Sequence, residues 1–294
     1  MKVSETKTIL VGVDGSRSSI EALKWAAILA ESLGTGVTAA MAWRYLDESE
    51  RSAASIPERP PDDIDRQLVE ELHKAVDVAG LHDVECLPLR GPAHDALQKA
   101  TTDPNIMMLV VGTRGLGPIA GLLLGSVSRK LLFSVTCPLV LVPRQGIDTK
   151  MDHVVVGLDG SAVSEAVAAF SATLCSGLGA AATVVRCIDA GAEHSSERID
   201  EIMTVSQLTF ERDNCAVFRG LGIPHEPVVK NGDPRICLIA AAERERAGLI
   251  IIGQHGTGQF AGLGGTASYL VRHSPLPLAI IPELPDTAQG YGNS

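Results

Sequence analysis

The sequence predicts an α/β protein built as two tandem, doubly wound domains. Each is a five-stranded parallel sheet with helices on both faces. Three observations carry this: the length, an internal repeat, and the alternation of short apolar runs with helical patterns. At 294 residues the chain is about twice an ordinary domain. The run Ile9-Leu-Val-Gly-Val-Asp14-Gly15-Ser16 returns as Val154-Val-Val-Gly-Leu-Asp159-Gly160-Ser161. Leu109-Val-Val-Gly112-Thr-Arg-Gly115 returns as Ile250-Ile-Ile-Gly253-Gln-His-Gly256, and each half ends on an apolar run after Pro138 or Pro277. The boundary falls between Gly146 and Met151, which divides the chain into residues 1–147 and 148–294.

Within the first copy, apolar runs place strands near 8–13, 37–43, 84–89, 107–111 and 139–142. Helical spacing falls near 18–33, 64–79, 93–101 and 126–134. The second copy places strands near 153–157, 182–188, 226–229, 249–252 and 278–281. Its first helix carries Val163, Val167, Phe170 and Leu174 on one apolar face. Runs that are apolar at every position require cover on both faces, and that is the environment of a parallel sheet with right-handed crossovers. Arg44 to Asp65, rich in Pro and charge, reads as a loop, and Glu283 to Ser294 as a frayed tail. Leu139–Val142 and Leu278–Ile281 are apolar edge candidates that need a partner, supplied by the other half of the chain or by a second chain in a homodimer.

Composition narrows the function. Hydrophobic residues make up 45%, which supports packed cores. Aromatics at 3% are too few for base-stacking surfaces, and a net charge of −10 repels a polyanion, so no nucleic-acid partner is expected. Ala166 to Val185 is uncharged, but Gly177-Leu178-Gly179 interrupts it; it reads as helix, turn and strand, with no membrane span. The N-terminus has no apolar signal region, and the six cysteines form no C-x-x-C pair. Both features predict a cytoplasmic protein with reduced thiols. The eight His are scattered, so no metal site is expected. His94 and Asp95 stand at a helix start, where capping or exposure accounts for them. Hydrolase-elbow, zinc-protease and Walker motifs are missing, so no catalytic residues are assigned.

In an open α/β sheet, ligands bind outside the carboxyl ends of the strands. There the fourth strand runs into Gly112-Thr-Arg114-Gly115, then nine residues, then Gly125-Ser126-Val127 opening a helix. Glycines allow backbone N–H groups to approach an anion, and a helix start adds unpaired donors. Arg114, Arg129 and Lys130 lie within or beside this loop. The competing reading has Gly115, Gly117 and Gly121 shaping a long turn with Ser126 as its cap; recurrence of the motif in the second copy favours the anion loop. The first strand ends Gly12-Val13-Asp14, whose carboxylate either accepts from a base amine or caps the turn.

The pattern Gly112-x2-Gly115-x9-Gly125-Ser126 with Val13-Asp14-Gly15-Ser16 resembles the universal stress protein family, over almost the whole chain. The resemblance implies a Rossmann-like domain of strand order 3-2-1-4-5 that binds ATP, with Mg2+ carried on the phosphates. The motif glycines and Ser126 would wrap the phosphates, Asp14 would contact adenine, and backbone near Ala42 or Cys187 would contact the base. In the second copy, Asp159, Gly253, Gly256, Gly265 and Thr266 are the counterparts, but Gly265-Thr266 follows after only eight residues. Aligning back from Pro277 instead puts Gly264 at the motif glycine and Gly265 at the serine place. Gly253 to Val271 contains no Lys or Arg, and His255 is its only titratable base, so weaker binding or none is expected there. The function expected is an ATP-binding stress-response regulator read by an unidentified protein partner, with nucleotide as a signal and at most slow hydrolysis. Alternatives are a cyclic AMP or other adenine-ligand module, and an adenylating enzyme. The last requires Ser-Gly-Gly-x-Asp-Ser where this chain has Asp14-Gly15-Ser16-Arg17-Ser18-Ser19.

Overall fold

Ile9, Leu10 and Val11 fill the middle of β1 (Thr8–Gly12) and have no exposed surface, so this strand is covered on both faces. A computed structural model describes residues 7–44, 60–115, 124–144, 150–188, 190, 195–256 and 263–283. Around β1 stand β2 (Gly36–Trp43), β3 (Glu85–Arg90), β4 (Ile106–Gly112) and β5 (Leu139–Val142). The second half repeats the set as β6 (His153–Gly157), β7 (Ala181–Ile188), β8 (His225–Asn231), β9 (Leu249–Gly253) and β10 (Leu278–Ile281). All join one sheet of order β3-β2-β1-β4-β5-β10-β9-β6-β7-β8. Each half therefore has the doubly wound order 3-2-1-4-5, with parallel neighbours throughout.

The halves meet where β5 and β10 pair antiparallel, Val140 opposite Ala279. Every residue of both strands is buried, and each strand has neighbours on two sides. These apolar strands are thus consumed within the chain. They are not free to pair two chains, and a homodimer would need another surface.

Helices α1 (Arg17–Leu33), α2 (Pro61–Ala79), α3 (Ala93–Ala100) and α4 (Ser126–Leu131) belong to the first half. The second half carries α5 (Ser164–Leu178), α6 (Ser196–Asn214), α7 (Ala216–Gly220), α8 (Pro234–Glu245) and α9 (Gly265–His273). One continuous core joins α1 and α2 to α5, α6 and α7 through Val140, Val142, Ala279 and Ile281. The opposite core joins α3 and α4 to α8 and α9 through Leu139, Leu141, Leu278 and Ile280. Equivalent helices share a face while β5 and β10 run antiparallel, so the halves are related by a pseudo-twofold axis normal to the sheet. Their carboxyl edges consequently point in opposite directions.

Three local features differ from the sequence expectation. Helix α2 starts at Pro61, earlier than the apolar spacing suggested, because proline is preorganised for the first helical position. The rest of the expected loop, 45–59, lies outside the described residues, as do 284–294 of the expected tail. Gly177 is a helical residue of α5, and Gly179 is the left-handed cap. A Cβ on Gly177 would stand 2.6 Å from Leu33 Cδ2, so this glycine allows α1 and α5 to pack across the two halves. Finally, α4 is six residues long and stops at Leu131. Among the described residues no helix is long and apolar enough to cross a membrane.

Candidate functional site

At the carboxyl edge of β1 the chain turns sharply. Gly15 takes φ +78, a left-handed conformation that glycine accepts without strain, and the Ser16 N–H donates to Asp14 Oδ1 at 3.0 Å. Ser16 then caps α1 by accepting from the Ser19 N–H at 3.2 Å. Its hydroxyl also donates to the Arg114 carbonyl at 3.3 Å, which ties the first turn to the loop after β4. That loop is held from the other side by Ser128, whose hydroxyl donates to the Gly112 carbonyl at 2.9 Å. The Gly125 N–H donates to the Thr113 carbonyl at 2.7 Å. The first helical bond of α4 runs from the Arg129 N–H to the Gly125 carbonyl at 3.0 Å, which leaves the N–H groups of Ser126 and Val127 without helical acceptors.

These elements border a cavity of about 1120 Å³. Gly12, Val13 and Asp14 line it from β1, Ala42 from β2, and Gly112, Arg114 and Gly115 from the loop after β4. Gly125, Ser126 and Val127 close it at α4. All ten first-half residues expected from the sequence therefore meet in one place. Five guanidinium groups also border it: Arg17, Arg114, Arg129, Arg144 and Arg272. None of the five makes an ion pair among the described residues. Several arginines elsewhere are paired, as in Arg90 with Asp62 and Asp65, Arg212 with Asp213, and Arg244 with Glu226 and Glu245. Lys130 is not among the lining residues.

The glycines prove to have different reasons. A Cβ on Gly112 would lie 2.7 Å from the Ser18 carbonyl carbon, so this glycine lets β4 meet the start of α1. A Cβ on Gly115 would collide with Asp14 Oδ2, so the carboxylate lies against bare backbone. Asp14 thus does cap its turn through Oδ1, while Oδ2 faces the phosphate-type loop. Gly125, with φ −66 and ψ 155, meets only ordinary contacts of 3.6 Å or more. Gly117 and Gly121 lie outside the described residues. Because α4 is so short, its dipole is a minor source of positive potential, and the guanidinium groups dominate.

The second half builds the same framework at the opposite edge. The Ser161 N–H donates to Asp159 Oδ1 at 2.9 Å, and a Cβ on Gly256 would stand 2.6 Å from Asp159 Oδ2. The Gly264 N–H donates to the Gln254 carbonyl at 3.0 Å, matching Gly125 to Thr113. Gly264 caps α9 with ψ 156, as Gly125 caps α4. Of the two alignments, the geometry therefore selects Gly264 for the motif glycine and Gly265 for the serine place. Thr266 falls one residue further on, where the first half has Val127. The cavity here measures about 520 Å³. Asp159, Gly253, Gly256, Gly265 and Thr266 all line it, together with Cys187 and His255, and no Lys or Arg does.

Sequence reasoning missed what crosses between the halves. Arg272 and Ser268 of α9, with Leu263, border the first-half cavity, and Leu263 borders both. The buried Gln254 side chain donates from Nε2 to the Leu132 carbonyl at 2.6 Å, joining the second loop to the end of α4. The repeat itself held a signal. Phe133 and Arg272 each stand eight residues after their motif glycines, Gly125 and Gly264, and both face the first cavity. His94 and Asp95 pair with each other at 2.7 Å in the first turn of α3, and the cap residue is Pro92. Among the described residues no group of three His, Cys, Asp or Glu side chains forms a metal site.

Comparison with known proteins agrees with this architecture. The profile of the universal stress protein family matches residues 5–143 and again 150–282. Universal stress protein Rv2624c of Mycobacterium tuberculosis is 32% identical over 176 residues, covering 56% of this chain and 60% of that protein. Universal stress protein Rv1996 of the same organism is 28% identical over 316 residues, covering 94% and 96%. A crystal structure of a universal stress protein from Archaeoglobus fulgidus superimposes with a TM-score of 0.68 at 18% identity, over 94% of this chain and 98% of that one. With two matches that together span most of its length, the chain belongs to the universal stress protein family.

Proposed function

We propose that the chain is an adenine-nucleotide-binding stress-response regulator in which ATP occupies the first domain, residues 1–147. The second domain, residues 148–294, supports that site. The observation that carries this reading is the charge contrast between two cavities of the same design. Arg17, Arg114 and Arg129, which make no ion pair among the described residues, border the first, and neither Lys nor Arg lines the second. A triphosphate is attracted more to the first than to the second, where Arg186 stands beside Gly160 but does not line the cavity. Charge by domain points the same way: net −3 over 1–147 and −7 over 148–294.

In this reading the N–H groups of Ser126 and Val127 and the Arg114 and Arg129 side chains hold phosphate oxygens, while Asp14 and the backbone near Ala42 hold the base. Mg2+ rides on the phosphates. Occupancy, sensed by a protein partner in the cytoplasm, is the signal; no side chain is assigned to activate water. The test is mass spectrometry of nucleotide released from undialysed protein, followed by competition between ATP and cyclic AMP. ATP recovered from the protein and displacing cyclic AMP supports the reading. Preferential retention of cyclic AMP moves the function to a cyclic-nucleotide module.

A further inference from the structure

The first cavity, about 1120 Å³, is roughly twice the size of its own duplicate, about 520 Å³. The two share fold and strand-end geometry, and the smaller one has the shorter loop. It falls in the ordinary range for small-molecule sites, about 300–1,000 Å³, and the larger one exceeds it. The added space lies toward the pseudo-twofold axis, where Phe133 and Arg144 of the first half meet Leu263, Val271 and Arg272 of the second.

That wall has a definite chemistry. Phe133 is 56% exposed, although the protein holds only five Phe and most large apolar side chains are buried. Beside it stand two guanidinium groups that make no ion pair among the described residues, Arg144 and Arg272. An aromatic face offers stacking to a planar base, and guanidinium forks take phosphate oxygens. The neighbouring Leu263 and Val271 give an apolar floor to the same space. Anion-binding and base-stacking groups thus lie beyond the phosphate loop, on the side away from Asp14.

We infer that the interdomain part of the cavity is a second nucleoside subsite, and that the full cavity takes a dinucleoside polyphosphate. One base lies by Asp14, the phosphates cross the guanidinium groups, and the second base stacks on Phe133. This rests on the nucleotide reading above. It also gives the second domain a direct role, because Arg272 completes a site in the first.

Calorimetric titration of the full chain with ATP, adenosine 5′-tetraphosphate and diadenosine tetraphosphate tests it, using wild type, Phe133→Ala and Arg272→Gln. Both substituted side chains are exposed, so folding is preserved, and matching melting curves verify it. Diadenosine tetraphosphate is expected to bind at least about tenfold more tightly than ATP or the tetraphosphate, and Phe133→Ala to remove that advantage. Arg272→Gln should weaken the dinucleotide by about tenfold while ATP changes by less than about twofold. A dinucleotide that binds no better than ATP overturns the inference and leaves the ATP reading standing. So does an equal loss for both ligands in either variant. If neither ATP nor the dinucleotide binds, the nucleotide reading falls and this one with it.

Discussion

Replacing Gly112 by alanine separates two reasons for a motif glycine, its closeness to a ligand and its closeness to the fold. The new Cβ would lie 2.7 Å from the Ser18 carbonyl carbon and 2.8 Å from Ser18 Cβ. Carbon atoms rest at about 3.5–4.0 Å, so close to an ångström must be recovered by movement. Neither side yields easily. Ser18 is 3% exposed in the first turn of α1, and β4 is hydrogen-bonded between β1 and β5. Overpacking of this kind costs about 1–3 kcal/mol. At about 2–4 °C per kcal/mol for a protein near this size, the melting temperature should fall by about 2–12 °C. Two controls grade the effect. Gly125→Ala meets contacts of 3.6 Å or more in a backbone conformation alanine adopts, and should melt within about 1 °C of wild type. Gly253→Ala meets chiefly a side chain, Val163 Cγ1, with the His255 carbonyl oxygen 3.2 Å away, and should fall between them. Differential scanning calorimetry on the three variants reads the order directly. A Gly112→Ala protein that melts with wild type refutes the packing argument and returns the glycine to a ligand-only role.

Other consequences can be measured with the same protein. Gln254→Ala strands the buried Leu132 carbonyl and should cost about 1–3 kcal/mol in urea unfolding; a loss below about 0.5 kcal/mol would mean the bond does not couple the halves. Arg90, hydrogen-bonded at 2.6 Å, holds the Asp65 carboxyl below its usual range, and the Trp43 indole donates to the same group at 2.7 Å. A carboxyl depressed in the folded state stabilises above its unfolded value of about 3.9 and loses that contribution as the pH falls through the folded value. The stability gap between wild type and Asp65→Asn should therefore be constant at neutral pH and close only below about pH 4; a gap that closes near pH 6 contradicts the assignment. Burial raises the thiols of Cys137 and Cys215 to about 11 and those of Cys175 and Cys187 to about 12. At pH 8 about one in a thousand or fewer is thiolate, so iodoacetamide should modify these four only after denaturation, as counted by peptide mass spectrometry.

The fold was legible because duplication prints each signal twice. Ile9–Val11 and Val154–Val156 are apolar at successive positions, which only a strand covered on both faces requires. The first-half cradle was legible for a related reason: its residues cluster at two strand ends and one loop, and local spacing records all three. Arg144, Phe133 and Arg272 were not, because what brings them together is the pairing of Val140 with Ala279 and the twofold relation it creates. Their matching offsets from Gly125 and Gly264 mark Phe133 and Arg272 as equivalents in the repeat, but no local pattern encodes their juxtaposition. Gly112 shows a subtler limit, since a glycine needed for a ligand and one needed for Ser18 look alike in a sequence. The choice between Gly264 and Gly265 likewise required the hydrogen bond from Gly264 to Gln254.

Calorimetric titration with ATP tests the account most directly, because it counts sites and locates them. Wild-type protein should bind one ATP per chain. Removing Arg114 and Arg129 together by substitution to glutamine should abolish that binding, while Asp159→Asn leaves it unchanged. Two equivalent ATP molecules per chain, or one that survives the double substitution and is lost with Asp159→Asn, would contradict the assignment of nucleotide to the first domain.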